Sequence, residues 1–268
     1  MIKSLYLALL LCITTPVLYA QHTNTREQKT KERKEHIAEL MKKEEEGALI
    51  YNTQFALAFK LNTDGWSAFY EHGKYKTINT TNIWWLEAGE RKSKKEEKAS
   101  ITTFDGVFFL VGNPFIYGKI NNFYYLKAGV GQQKLIGGKG NMNGVAVSAL
   151  YGAGITAGFL KPYYLTISDP NTGETRDIKY PDSLFLDPNV ILGGAGAGKG
   201  FGEMKLIPGA QARAGLRFDY GKYNEMLSAL EIGVNAEYYT QKMPIMAIAA
   251  DKQFFFNAYV AIEFGKRK

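Results

Sequence analysis

From about residue 50 onward, apolar and polar residues alternate with a period of two. The clearest stretch is Phe254–Phe264. Phe256, Ala258, Val260, Ile262 and Phe264 fall on one face, and Phe255, Asn257, Tyr259, Ala261 and Glu263 on the other. A strand sends successive side chains to opposite faces. The same pattern predicts strands at about 50–61, 66–77, 83–91, 123–135, 145–167, 204–220 and 226–240. Thr63-Asp64-Gly65 is a hairpin signal between the first two. That makes eight strands, and an additional hairpin within 92–121 would raise the count to ten. Pro170, Pro181 and Pro188 predict a long interruption at 168–203 without regular pairing.

Alternation does not say which face is inside. A lipocalin-like soluble barrel turns its apolar face inward. Here the polar faces carry Gly, small residues and a few charges of both signs. The aromatics collect at strand ends: Phe218, Tyr220 and Phe264 at one level, Phe159, Tyr163, Tyr238 and Phe256 at the other. Two aromatic belts around an apolar band suit a bilayer. The expected fold class is therefore all-β, an antiparallel transmembrane up-and-down β-barrel. An even strand number puts both termini in the periplasm. Turns at 78–82, 137–144 and 221–225 then face the periplasm, and loops at 92–121, 168–203 and 241–252 face outward. The tight turn at 63–65 is the exception to short turns inside and long loops outside.

An eight-stranded barrel has an interior that side chains can fill. The charges on the polar faces then form a structural lumen network. Lys127, Arg213 and Arg217 are set against Glu71, Glu87, Asp219, Glu231, Glu237 and Glu263. Across the hairpin at 222–224, Glu231 and Glu237 are the nearest candidates for Arg213 and Arg217. The alternative is a gated path for small ions.

The ends of the chain add an address. Lys3, an apolar run at 4–13, Pro16 and Leu18-Tyr19-Ala20 read as a signal peptide over 1–20. Cys12 lies inside it, so the mature chain has no cysteine and no thiol chemistry. Residues 21–48, dense in Lys, Glu and Arg, predict a short charged periplasmic helix, followed by the barrel over 49–268. The net charge of +7 lies largely in mixed-sign runs, which reads as solvated segments rather than nucleic-acid binding.

Two motifs invite chemistry. Gly193–Gly200 (GGAGAGKG) has phosphate-loop spacing, but Gly200 stands where Ser or Thr would hold Mg²⁺, and no helix pattern follows. No nucleotide and no cofactor are expected. His72 stands alone on a strand, short of the convergent groups that catalysis or a metal needs. The expected partners are outer-membrane lipid and a periplasmic or surface protein.

Four segments carry a family likeness: Phe115–Asn121 (FIYGKIN), Gly129–Lys134 (GVGQQK), Phe159–Leu165 (FLKPYYL) and Ala258–Lys268 (AYVAIEFGKRK). With these the chain resembles outer-membrane β-barrel proteins of Bacteroidota, the porin-family or outer-membrane β-barrel domain proteins. The resemblance implies location and fold over roughly 50–268. It implies no activity and no functional residue. The basic tail after Phe264 departs from barrels that end on the aromatic itself. The expected function is a structural or accessory, partner-binding barrel. The alternatives are a narrow porin or transporter and a lipid-modifying enzyme.

Overall fold

In the computed structural model the described residues are 33–34, 51–77, 79–104, 109–139, 144–222 and 225–268. The chain divides into two units, Met1–Glu45 and Glu46–Lys268. The described residues of the first are Arg33 and Lys34, both helical and exposed. The signal peptide and the rest of the charged helix expected at 21–48 lie outside the described residues.

The second unit is built on eight long strands. They are β1 (Thr53–Asn62), β2 (Gly65–Thr77), β3 (Thr80–Arg91), β4 (Asn121–Gly137), β5 (Ala146–Pro162), β6 (Lys205–Asp219), β7 (Met226–Met243) and β8 (Lys252–Arg267). Each pairs antiparallel with its sequence neighbours, and β1 pairs with β8, so the sheet closes and leaves no edge. At one end, the loop end, lie the 63–64 turn and the connections 92–120, 163–204 and 244–251. At the other, the turn end, lie both ends of the barrel sequence and the remaining turns.

The closing strand decides which face meets lipid. Phe264 is 61% exposed, and its neighbour Glu263 is fully buried. Phe254, Phe256, Val260 and Ile262 likewise point out, while Asn257, Tyr259 and Ala261 are buried. An apolar exterior around a polar interior is stable only where the surrounding solvent is hydrocarbon and every backbone group is paired within a closed sheet. The fold is an antiparallel, eight-stranded transmembrane barrel. On β5 the outward apolar row runs from Val147 to Phe159, which at a usual strand tilt spans roughly 30 Å of barrel axis. Near the loop end Phe59 stacks on Trp66 with ring centroids 6.1 Å apart, and Tyr238 pairs with Phe254. Phe218, Tyr220 and Phe264 mark the turn end.

Four sequence expectations are corrected. Ten strands do not form: the pairs Lys98–Ala99 with Phe115–Ile116 and Thr102–Phe104 with Phe109–Val111 are small ribbons outside the barrel sheet. The strand expected at 145–167 ends at Pro162, whose ring removes a ladder donor. Residues 168–203 do pair. Tyr164–Ser168, Thr175–Lys179 and Ile191–Gly194 make a three-stranded sheet, with Pro170, Pro181 and Pro188 in the links between strands. Tyr163 belongs to this loop structure rather than to the aromatic belt: its ring packs against the loop core, and its hydroxyl accepts from the Ile116 N–H at 3.1 Å.

Inward glycines make room for inward aromatics. The fully buried Trp85 ring lies against Gly129 and Gly152, and a Cβ at Gly152 would come within 2.6 Å of its Cη2. Tyr259 lies the same way against Gly215 and Gly233. The lumen is therefore packed, large side against small. Gly129→Val is expected to cost about 1–3 kcal/mol through overpacking. Because Trp85 is the atom group it strikes, Gly129→Val and Trp85→Leu together should cost less than the sum of the two single changes. The urea midpoint, read from the gel shift of unboiled samples, gives the comparison; additive losses would mean that the ring and the glycine do not touch.

Candidate functional site

Every charge named for the lumen in the sequence is buried inside the barrel. They gather in three tiers. Nearest the loop end, Glu237 accepts two parallel bonds from Arg91, at 2.8 and 3.1 Å, and pairs with Lys127 at 2.8 Å. Tyr239 donates its hydroxyl to the same carboxylate at 2.8 Å. Arg91 also pairs with Asp64 at 2.7 Å. Glu87 takes Lys60 at 2.9 Å, Lys127 at 3.3 Å and the Ser67 hydroxyl at 3.0 Å.

In the middle tier Arg217 pairs with Glu71 at 2.7 Å and with Glu231 and Glu263 at 2.9 Å each. Arg213 pairs with Glu71 and stacks on Trp85, 4.0 Å from the ring centroid. Tyr259 donates to Glu231 at 2.5 Å. At the turn end, Asp219 pairs with Arg267 and, at 3.3 Å, with Lys139. Tyr51 closes this end, bonded to Thr81 at 3.0 Å beneath the Arg267 guanidinium.

Among the described residues the lumen cations Lys60, Arg91, Lys127, Lys139, Arg213, Arg217 and Arg267 face the buried carboxylates Glu71, Glu87, Asp219, Glu231, Glu237 and Glu263 and, at the loop end, the part-exposed Asp64. Buried charges persist only when paired in this way. The connectivity differs from the sequence expectation in one respect. Glu237 is a partner of Arg91 and Lys127, not of Arg213 or Arg217, because the β6–β7 register sets it opposite Gln211. Several pairs cross the lumen instead. Arg213 of β6 meets Glu71 of β2, and Arg91 of β3 meets Glu237 of β7. Each joins strands four apart in a ring of eight. Lys60, Asp64, Arg91, Lys139 and Arg267 were not foreseen. Lys60 does lie on the polar face of β1, which was the available signal. The basic tail is also explained: β8 runs past Phe264, and Arg267 turns inward to Asp219.

Above the upper tier an aromatic floor of Phe123, Tyr125, Tyr239 and Phe255 closes the lumen, with Met243, Leu160 and Ile207 packed beside it. The Arg91 guanidinium lies 4.4 Å from the Phe255 centroid and 5.4 Å from that of Phe123. A cleft of about 420 Å³ opens above this floor; Lys92, Lys94, Lys95 and Lys252 line it with Ile245 and Phe254.

The loop strands have their own core of Phe115, Leu165, Ile167, Ile178, Phe185, Val190 and Ile191. Burial raises the Tyr163 hydroxyl's pKa, against the Ile116 N–H that favours its anion. At the surface, Lys179, and then the Tyr164 hydroxyl, hold the Glu203 carboxyl below the usual carboxylate range. The phosphate-loop-like segment is a strand end and turn, followed by a 3₁₀ turn at Phe201–Glu203 and then β6. His72 faces outward from β2, its ring 5.7 Å from Trp84. Among the described residues no group of three His, Cys, Asp or Glu side chains could hold a metal ion.

Fold and lumen define a transmembrane β-barrel with a filled, ionically paired interior. Among solved structures the chain is similar to the N-terminal β-barrel domain of Pseudomonas aeruginosa OprF, at 12% identity, covering 80% of this chain and 98% of that one with a TM-score of 0.35. It is similar to Neisserial surface protein A (NspA) at 7% identity, covering 81% and 94%, TM-score 0.37. It is also similar to Ail, the attachment invasion locus protein of Yersinia pestis, at 10% identity, covering 82% and 100%, TM-score 0.33. No family model and no curated protein matches the chain.

Arg217 holds three carboxylates, so its loss should be severe. Arg217→Met is expected to lower stability by about 3–5 kcal/mol, since it leaves buried carboxylates without a cation. Leu216→Ala, one position away and facing lipid, should cost much less. Adding Glu263→Gln to Arg217→Met should recover part of the loss. Urea midpoints of the refolded barrel test this; equal, small effects at 216 and 217 would mean that water reaches the lumen.

Proposed function

We propose that this protein is a non-enzymatic outer-membrane barrel, a rigid anchor that presents its loop end to a partner, with both barrel ends of the chain in the periplasm. The observation that carries this reading is the lumen: ion pairs brace opposite strands, aromatic side chains cover one end and Tyr51 the other, so the interior serves rigidity rather than passage. The loop end supports the partner-binding half of the reading. It holds a folded sheet with its own apolar core, costly to build if the loops were only connectors, and a cleft rimmed by four lysines. Such a rim favours an acidic partner. The four sequence segments that resemble Bacteroidota barrels supply the source we assign.

Two measurements test the proposal. In planar bilayers the refolded barrel should give no steady open current; a stable unitary conductance would replace the anchor with a pore. Protease added to intact cells should cut within 92–120 or 163–204 and leave the N-terminal charged segment intact. Cleavage near Arg33 and Lys34 with the loops untouched would invert the orientation.

A further inference from the structure

One buried cation has no carboxylate. Lys161 lies at the end of β5 on its outward face, since Leu160 before it packs into the lumen-side cluster. Yet Lys161 is only 4% exposed. The glycine-rich segment folds over it. Its Nζ donates to the Ala197 carbonyl at 2.5 Å and sits 4.1 Å from the centroid of the Phe201 ring. Gly200 permits this close cover: its φ of 86° suits glycine, and a Cβ there would come within 2.7 Å of the Pro162 carbonyl. Every other buried Lys or Arg among the described residues has an Asp or Glu within ion-pair distance, and Lys119, the remaining loop example, has Glu96 at 2.7 Å. An ammonium carries three N–H donors, and Lys161 uses one, on an uncharged carbonyl.

A cleft of about 360 Å³ adjoins this lysine. Tyr124, Asn122, the segment Gly194–Ala197 and Lys199 line it, and no Asp or Glu does. Lys199 is already paired with Asp177. The unmatched charge is therefore that of Lys161, and the cleft supplies hydrogen-bonding groups around it.

Position selects the ligand. Phe159 is two residues before Lys161 on the same outward face, about 7 Å along the strand. It pairs with Tyr124 on one side and Leu206 on the other, which extends the apolar row across three strands. A lipid whose chains lie on Phe159 and Leu206 brings its headgroup to the level of Lys161. We propose that this cleft binds the phosphate headgroup of a lipid in the leaflet at the loop end, the phosphate accepting from Lys161 and neutralising it. The cleft has the size of a small-ligand site, enough for a phosphate and its ester substituent. This rests on the lipid-facing exterior, and it holds whether or not the loops meet a protein partner.

The test uses the mature chain refolded in uncharged maltoside micelles, with folding checked by gel shift. Phosphatidic acid should give a saturable rise in Tm, as any ligand of the folded state does. Lys161→Met should abolish the rise, Lys161→Arg should keep it, and Lys242→Met, an exposed lysine outside the cleft, should keep it. If Lys161→Met does not fold, Ala197→Trp fills the cleft with the lysine intact and should also abolish the rise. No rise in the wild type, or an equal rise in Lys161→Met or in Ala197→Trp, overturns the site. An equal rise with inorganic phosphate at matched concentration overturns the lipid assignment and leaves a free-anion site.

Discussion

The constraint on which this barrel depends is that a charge turned into a lumen sheathed in hydrocarbon must find its opposite there. Phe123, Tyr125, Tyr239 and Phe255 pack over one end of the lumen, and Tyr51 is buried at the other. In such an interior an unpaired charge costs several kcal/mol, and a single missing partner is felt by the whole tier. The pairing of every lumen cation with a carboxylate among the described residues follows from this. So does the clustering of hydroxyl donors, Ser67, Tyr239 and Tyr259, on carboxylates that have lone pairs left over. The glycines are the steric counterpart. Rings as large as Trp85 fit a narrow barrel only where the facing strands give up their side chains.

This division of labour separates the two halves of the molecule. Below the loops, packing and pairing hold the strands in one arrangement. Above them, the chain carries a second, smaller core of its own, centred on Phe185, Leu165 and Ile167. That core uses ordinary burial of aliphatic and aromatic side chains in water, the reverse of the arrangement a few residues away in β5. Pro162 and Tyr163 stand at the changeover, where the strand leaves the barrel and the sense of inside and outside reverses.

Much of the barrel was legible because a period of two is hard to hide. In β3, Trp84 and Trp85 differ by one position and face lipid and lumen respectively, as their neighbours Leu86 and Glu87 indicate. The expected lumen charges lie inside for the same reason. Their partners were less legible, because alternation sets a side chain's face and says nothing of what lies across the ring. Glu71 and Arg213 are separated by most of the barrel sequence, and only closure brings them together. Asp64, Arg91, Lys139 and Arg267 escaped notice because each sits at a strand end beside turn or solvated residues, where a charge ordinarily belongs to water. The loop sheet escaped because its strands are short and its prolines, which fall in the links, suggested irregular chain throughout.

The cross-lumen pairs also bear on how such a molecule can be made. Neighbouring strands in a hairpin satisfy one another as soon as they meet. Glu71 and Arg213, or Arg91 and Glu237, cannot, since one member lies in the early strands and the other in the late ones. A half-inserted sheet would carry these charges into hydrocarbon without their counterparts, a state that the energetics of buried ions disfavour. The early strands satisfy some of their charges among themselves, as Lys60, Glu87 and Lys127 do, but Glu71 and Arg91 wait for the late ones. Pairing that joins distant parts of the chain is slow to form. For this sequence, insertion and closure are therefore expected to be coupled, since the cross-lumen pairs of the ionic core are complete only when β8 has paired with β1.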